Sequence, residues 1–93
     1  MAMLKIIDLW APWCAPCRKL GPILEHVVAT ANATREGSVE LLQINVDEDE
    51  AAADTYDVKS VPTVIYVKDD QIVARIIGLQ PSHTYSDLIT EHL

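Results

Sequence analysis

No apolar run in this chain approaches the ~20 residues that a membrane-spanning helix requires. Basic residues are scarce: seven Lys and Arg stand against fourteen Asp and Glu, for a formal net charge of −7. A nucleic-acid partner needs a basic face that neutralises phosphates, and this composition does not readily supply one. The acidity reads as a solubility device. Internal repeats, low-complexity tracts and linkers are also missing. The 93 residues suffice for one compact domain and are too few for two.

What is present supports a packed core. Hydrophobic residues make up 49% of the chain, and the charged ones are dispersed among apolar runs, which argues against disorder. Met1 to Asp8 has a faint likeness to a short signal peptide, yet Lys5 and Asp8 cut its apolar stretch. Cleavage there would remove the cysteine motif that follows, so a cytoplasmic location is expected.

Met3 to Trp10 is β-prone and mostly apolar, and Ala11-Pro12 ends it, as for a buried strand. From Ala15 the apolar positions Leu20, Leu24, Val27, Val28 and Ala31 trace one helical face. Pro22 should kink that helix, and Gly37-Ser38 should end it. Val39 to Val46 reads as a second strand. The acidic run Asp47 to Glu50 suits a helix N-terminus, which places a short helix at about Glu48 to Tyr56. Thr63 to Lys68 and Gln71 to Ile77 form a hairpin across Asp69-Asp70, a turn that lacks the usual glycine. Gly78 ends the second run. Pro81 suits the first position of a final helix, whose buried side carries Tyr85, Leu88, Ile89 and His92. The order βαβαββα combines a parallel strand pair with an antiparallel one, so the fold is α/β with a mixed sheet.

The two cysteines, Cys14 and Cys17, lie at the junction of the first strand and first helix. Structural zinc needs four ligands, and the histidines His26, His83 and His92 are scattered singly. An iron–sulfur cluster normally takes four thiolates. A static disulfide closing so small a loop gains little entropy. A redox-active pair fits best: at a helix N-terminus the free N–H groups and the dipole stabilise a thiolate and lower its pKa. A second thiol one turn further in can then attack any mixed disulfide that forms. Neither a metal nor a cofactor is expected.

Asp8-Leu9-Trp10-Ala11-Pro12-Trp13-Cys14-Ala15-Pro16-Cys17-Arg18 closely resembles the active-site segment of thioredoxins. Pro22-Ile23-Leu24, Asn45-Val46-Asp47, Val61-Pro62-Thr63 and Gly78 continue the resemblance in register from about Ile6 to the C-terminus. It implies a thioredoxin-like, four-stranded mixed sheet with helices on both faces. It also implies a protein-disulfide reductase in which Cys14 attacks and Cys17 resolves. Asp8 aligns with the family's buried carboxylate, the base for Cys17, and desolvation there should raise its pKa. The competing reading of Asp8 is a solvated strand end. Pro62 aligns with the family's cis-proline; an ordinary trans-proline opening a strand is the alternative. Trp13, Ala15, Pro16, Val61, Gly78 and Leu79 would form the apolar patch that receives the client. Trp10 and the tyrosines Tyr56, Tyr66 and Tyr85 are assigned no chemistry.

Three departures from the family pattern stand out. The chain starts with the cysteine-bearing strand, so residues 1–93 are expected to form a single domain lacking the N-terminal strand and helix of larger thioredoxins. The strand at Val39 to Val46 should then be an edge that promotes weak self-association. Gln43 stands where many thioredoxins carry lysine, so Asp8 should be less depressed. Ala15 replaces the commoner glycine between the cysteines. The expected partners are disulfide-containing client proteins and a thioredoxin reductase-like recharging enzyme, with the chain a monomer or weak dimer. A glutaredoxin-like, glutathione-coupled reductase and a thioredoxin-fold binding module are the competing functions.

Overall fold

A computed structural model describes residues 3–35 and 37–93. The elements run β1 (Leu4–Trp10), α1 (Ala15–Thr34), β2 (Val39–Asn45), α2 (Glu50–Thr55), β3 (Thr63–Lys68), β4 (Gln71–Ile77) and α3 (Ser82–His92). The strands form one sheet in the order β2-β1-β3-β4. β1 and β2 are parallel, whereas β1–β3 and β3–β4 are antiparallel. The mixed sheet and the order βαβαββα agree with the expectation from sequence, and β2 lies at an edge.

Alternation along β1 divides the core between two faces. Leu4 and Ile6 point to the face where α1 contributes Leu20, Leu24, Val27 and Val28, and α3 contributes Tyr85 and Ile89. Ile7 and Leu9 point to the other, with Ile65, and α2 brings Ala52 against them. Helices therefore cover both faces.

Several boundaries differ from the sequence reading, each for a local reason. α1 passes through Pro22 and ends at Thr34, where Arg35 leaves helical geometry, three residues before Gly37 makes the left-handed turn at φ 72°. α2 begins at Glu50 because the Asn45 carbonyl accepts the Glu48 and Asp49 N–H groups in a turn, leaving Asp49 as N-cap. The Asp49 carboxylate accepts the Ala52 N–H at 3.0 Å, a regular capping bond. Pro81 is the N-cap of α3 and not its first helical residue, with ψ 150°. Of the expected buried side of α3, Tyr85 and Ile89 are buried, while Leu88 and His92 are only half-buried. The hairpin closes without glycine because Asp69 and Asp70 both adopt left-handed geometry, at φ 54° and 63°. Two successive positive φ values are what a tight two-residue hairpin demands, and aspartate tolerates them better than most side chains.

Candidate functional site

The antiparallel register gathers distant segments at one end of the sheet. Thr63 pairs with both Leu9 and Ile77. The chain leaving β1 towards the cysteines, the chain entering β3 at Val61-Pro62 and the chain leaving β4 at Gly78 consequently meet there. Gly78 N–H donates to the Pro62 carbonyl at 2.9 Å.

A turn in which Cys14 N–H donates to the Ala11 carbonyl at 3.1 Å carries the chain from β1 into α1. Cys14 is the N-cap of α1, with φ −94° and ψ 106°, and Pro16 opens the helix where no intrahelical N–H is needed. The Cys14 sulfur accepts the Cys17 N–H at 3.2 Å, so sulfur fills the role that an oxygen plays in an ordinary cap. The two sulfurs are joined in a disulfide, with Cα atoms 5.3 Å apart. Around them pack Ala11, Trp10, Val46 and Val61. Cys14 keeps 5% of its surface exposed and Cys17 3%, so in this oxidised state both are nearly covered.

Beneath the disulfide lies Asp8, 1% exposed. It shares a cavity of about 190 Å³ with Trp10, Cys17, Arg18, Gly21 and Gln43. Its Oδ1 has no hydrogen-bond partner. A buried carboxylate with an unpartnered oxygen favours its protonated form, because burial removes the water that stabilises the charge. Burial pushes the Asp8 carboxyl up to about 6; the Gln43 carboxamide pulls the other way, and the negative charge of Glu25 adds to the rise. Gly21 on α1 lies against the Gln43 amide: a Cβ there would stand 3.7 Å from Gln43 Nε2, an ordinary van der Waals contact. A larger groove of about 440 Å³ between α1 and α3 has His26, Arg35, Ser86 and Leu93 among its lining and includes none of these residues.

The residues expected to form an apolar surround do collect at this end. Trp13 stands 70% exposed beside Cys14, and its indole N–H donates to Asp47 Oδ2 at 3.1 Å. Ala15 and Pro16 are exposed on the first turn of α1. The Val61–Pro62 bond is cis. Pro62 is buried, Val61 packs beside the disulfide, and Leu79 is exposed after Gly78. Trp10 is half-buried and lines the Asp8 cavity.

Sequence reasoning missed two residues. Asp47 holds the Trp13 ring; its place in the Asn45-Val46-Asp47 segment was the available signal. The sequence places Tyr85 in the core or on ordinary surface and assigns it no chemistry, yet its hydroxyl accepts the Gln80 N–H at 3.0 Å and donates to the Gly78 carbonyl at 3.3 Å. A tyrosine at an otherwise apolar helix position, four residues after Pro81, was the only hint.

A disulfide spanning two cysteines three apart, at the tip of a helix and the converging ends of a mixed sheet, defines a thiol–disulfide oxidoreductase. The thioredoxin family model matches residues 2–91. Thioredoxin from Staphylococcus aureus is 37% identical over 89 residues, which cover 96% of this chain and 82% of that protein. A variant thioredoxin from Halobacterium salinarum NRC-1 superposes with a TM-score of 0.81 at 31% identity, over 96% of this chain and 74% of that one. Mitochondrial thioredoxin 3 from Saccharomyces cerevisiae, in its oxidised form, also gives 0.81, at 28% identity over 95% and 77% of the two chains. The chain belongs to the thioredoxin family.

Proposed function

We propose that the chain reduces disulfides in client proteins and is recharged by a separate thioredoxin reductase-like enzyme. With both cysteines reduced, the Cys14 thiolate attacks one sulfur of the client disulfide. A Cys14–client mixed disulfide forms, and the other client sulfur leaves as a thiolate. Cys17 then gives its proton to Asp8, directly or through water in the shared cavity, and attacks Cys14 Sγ. The second client thiolate departs, and the Cys14–Cys17 disulfide remains. Two electrons have passed to the client. Pro62 and the apolar surround of Trp13, Ala15, Pro16, Val61, Gly78 and Leu79 receive the client chain.

The observation that carries this reading is the Cys14 sulfur at the N-cap of α1, accepting the Cys17 N–H at 3.2 Å. A thiolate there is favoured by the N–H groups and dipole of a twenty-residue helix. Asp8 supports the assignment of a base, because a carboxyl raised to about 6 can accept a proton near neutral pH. All the proposed machinery lies within one thioredoxin-like domain formed by residues 1–93. The chain works as a monomer or weak dimer in the cytoplasm. No helix among the described residues is long and apolar enough to cross a membrane.

Reduction of insulin tests the proposal. The wild-type chain should precipitate insulin with a flavin-dependent thioredoxin reductase as electron source and fail with glutathione and its reductase. Turnover on glutathione alone would instead make it a glutathione-coupled protein, and full function in Cys14→Ser would make it a binding module.

A further inference from the structure

We propose that Tyr85 is a positioning residue for client binding, its buried phenol tying down the Gly78–Gln80 segment beside Pro62. The proposal rests on the reading above, in which Gly78 and Leu79 receive the client.

The Gly78–Gln80 segment has few anchors of its own. It leaves β4 through Gly78, at φ 85°, and enters α3 through Pro81, which caps that helix without a side-chain hydrogen bond. Proline at the cap also has no N–H to offer. Tyr85, in the first turn of α3 and fully buried, supplies the missing bonds from below. Its hydroxyl oxygen accepts the Gln80 N–H at 3.0 Å, and its proton goes to the Gly78 carbonyl at 3.3 Å. One phenol thus closes both ends of the segment. Burial raises the pKa of Tyr85, so the phenol keeps the proton it donates.

The anchorage continues on both sides. Gly78 N–H donates to the Pro62 carbonyl at 2.9 Å, so the phenol is one residue removed from the cis-proline. On the far side, the Tyr66 hydroxyl in β3 donates to the Tyr85 carbonyl at 2.9 Å. Tyr66 therefore fixes the turn of α3 that carries Tyr85, and Tyr85 fixes the segment above it. Leu79 and Ile77 point outward at 39% and 58% exposure while the backbone between them is held from inside. A segment already ordered in its bound conformation spares the client the cost of ordering it.

This device acts on affinity and leaves the sulfurs alone. Tyr85 belongs to the α1–α3 core, whereas the cysteines pack in a separate cluster. Tyr85→Phe keeps the ring in the core and removes only the hydroxyl. With dithiothreitol as electron source, the KM for insulin should rise roughly three- to tenfold, the worth of one neutral hydrogen bond. The kcat should stay within about twofold, and turnover of a small disulfide, oxidised glutathione, should be unchanged. Leu79→Ala, measured in parallel, tests the underlying reading. A higher KM in both variants supports the proposal. A higher KM in Leu79→Ala alone overturns the role of Tyr85 and leaves the client surface standing. If neither variant changes KM, the client surface itself is misplaced and the proposal falls with it. Equal losses with insulin and with glutathione disulfide in Tyr85→Phe would reveal a merely structural tyrosine, and overturn it too.

Discussion

The Asn32 carboxamide holds the main chain of Val39 at both of its polar groups: Nδ2 donates to the Val39 carbonyl at 2.9 Å, and Oδ1 accepts the Val39 N–H at 3.0 Å. Val39 begins β2, an edge strand of the sheet. In a parallel ladder alternate residues bond to the neighbour and the others face outward. Leu4 N–H bonds to the Ser38 carbonyl and Val46 N–H to the Trp10 carbonyl, so Val39, Leu41, Gln43 and Asn45 face outward. Asn32 satisfies the first, and the turn N–H groups of Glu48 and Asp49 occupy the Asn45 carbonyl. The open edge shrinks to Leu41, Gln43 and the Asn45 N–H, too short a template for strong pairing with a second chain.

Asn32→Ala should therefore do two things. It removes both bonds to Val39, which lowers the unfolding free energy by about 1–2 kcal/mol. It also lengthens the open edge and should raise the tendency to self-associate. Urea denaturation and light scattering over a concentration series read the two effects, and unchanged values in both would refute the capping role.

The ionisation of Asp8 makes stability depend on pH in a defined direction. Its carboxyl sits at about 6 in the folded chain against an ordinary 3.8. Between those values the folded state holds more protons than the unfolded one, so this residue's contribution falls as pH rises through the window. At pH 7 the wild type carries a penalty of roughly 3 kcal/mol from this group alone. Asp8→Asn should be more stable than wild type at pH 7, with the gap closing below about pH 4, as urea titrations at several pH values would record. The same substitution should slow release of client from the mixed disulfide, because Cys17 loses its base.

The two cysteines should be separable by trapping. Cys17→Ser leaves the attack by Cys14 intact and removes the group that resolves it. A covalent adduct with a disulfide-bearing client should then accumulate and run as one band on a non-reducing gel. Cys14→Ser should form none. An adduct in Cys14→Ser but not in Cys17→Ser would reverse the roles assigned here.

The β3–β4 turn is open to improvement. Asp70 holds φ at 63°, a conformation that glycine adopts without steric cost. Asp70→Gly creates the favoured Asp-Gly turn pair and should stabilise the fold by about 0.5–1 kcal/mol. Thermal unfolding gives the sign directly, and a lower midpoint would contradict the turn geometry.

Sequence carried the fold well because its signals were local: alternation in β1, the helical apolar face of α1, and turn residues between. The cysteines, Asp8 and Pro62 were legible for the same reason, each embedded in a short distinctive segment. Element ends were less so. The start of α2 depends on which carbonyl takes the Glu48 N–H, and four consecutive acidic residues offer several equivalent caps. Tyr85 escaped notice because its role lies in a hydroxyl reaching backward to Gln80, and side-chain periodicity reports only the buried ring. Burial of Asp8 was inferable from its apolar neighbours, whereas the influence of Glu25 requires the packing of α1 on β1.

Both tryptophans of the chain belong to the sulfur site: Trp10 packs with the cysteine cluster, and Trp13 stands directly before Cys14. Indole emission from this chain accordingly originates wholly within a few residues of the disulfide. Opening and closing of that bond should therefore register in intrinsic fluorescence, without a dye, a tag or a coupled assay. The molecule is its own optical redox gauge.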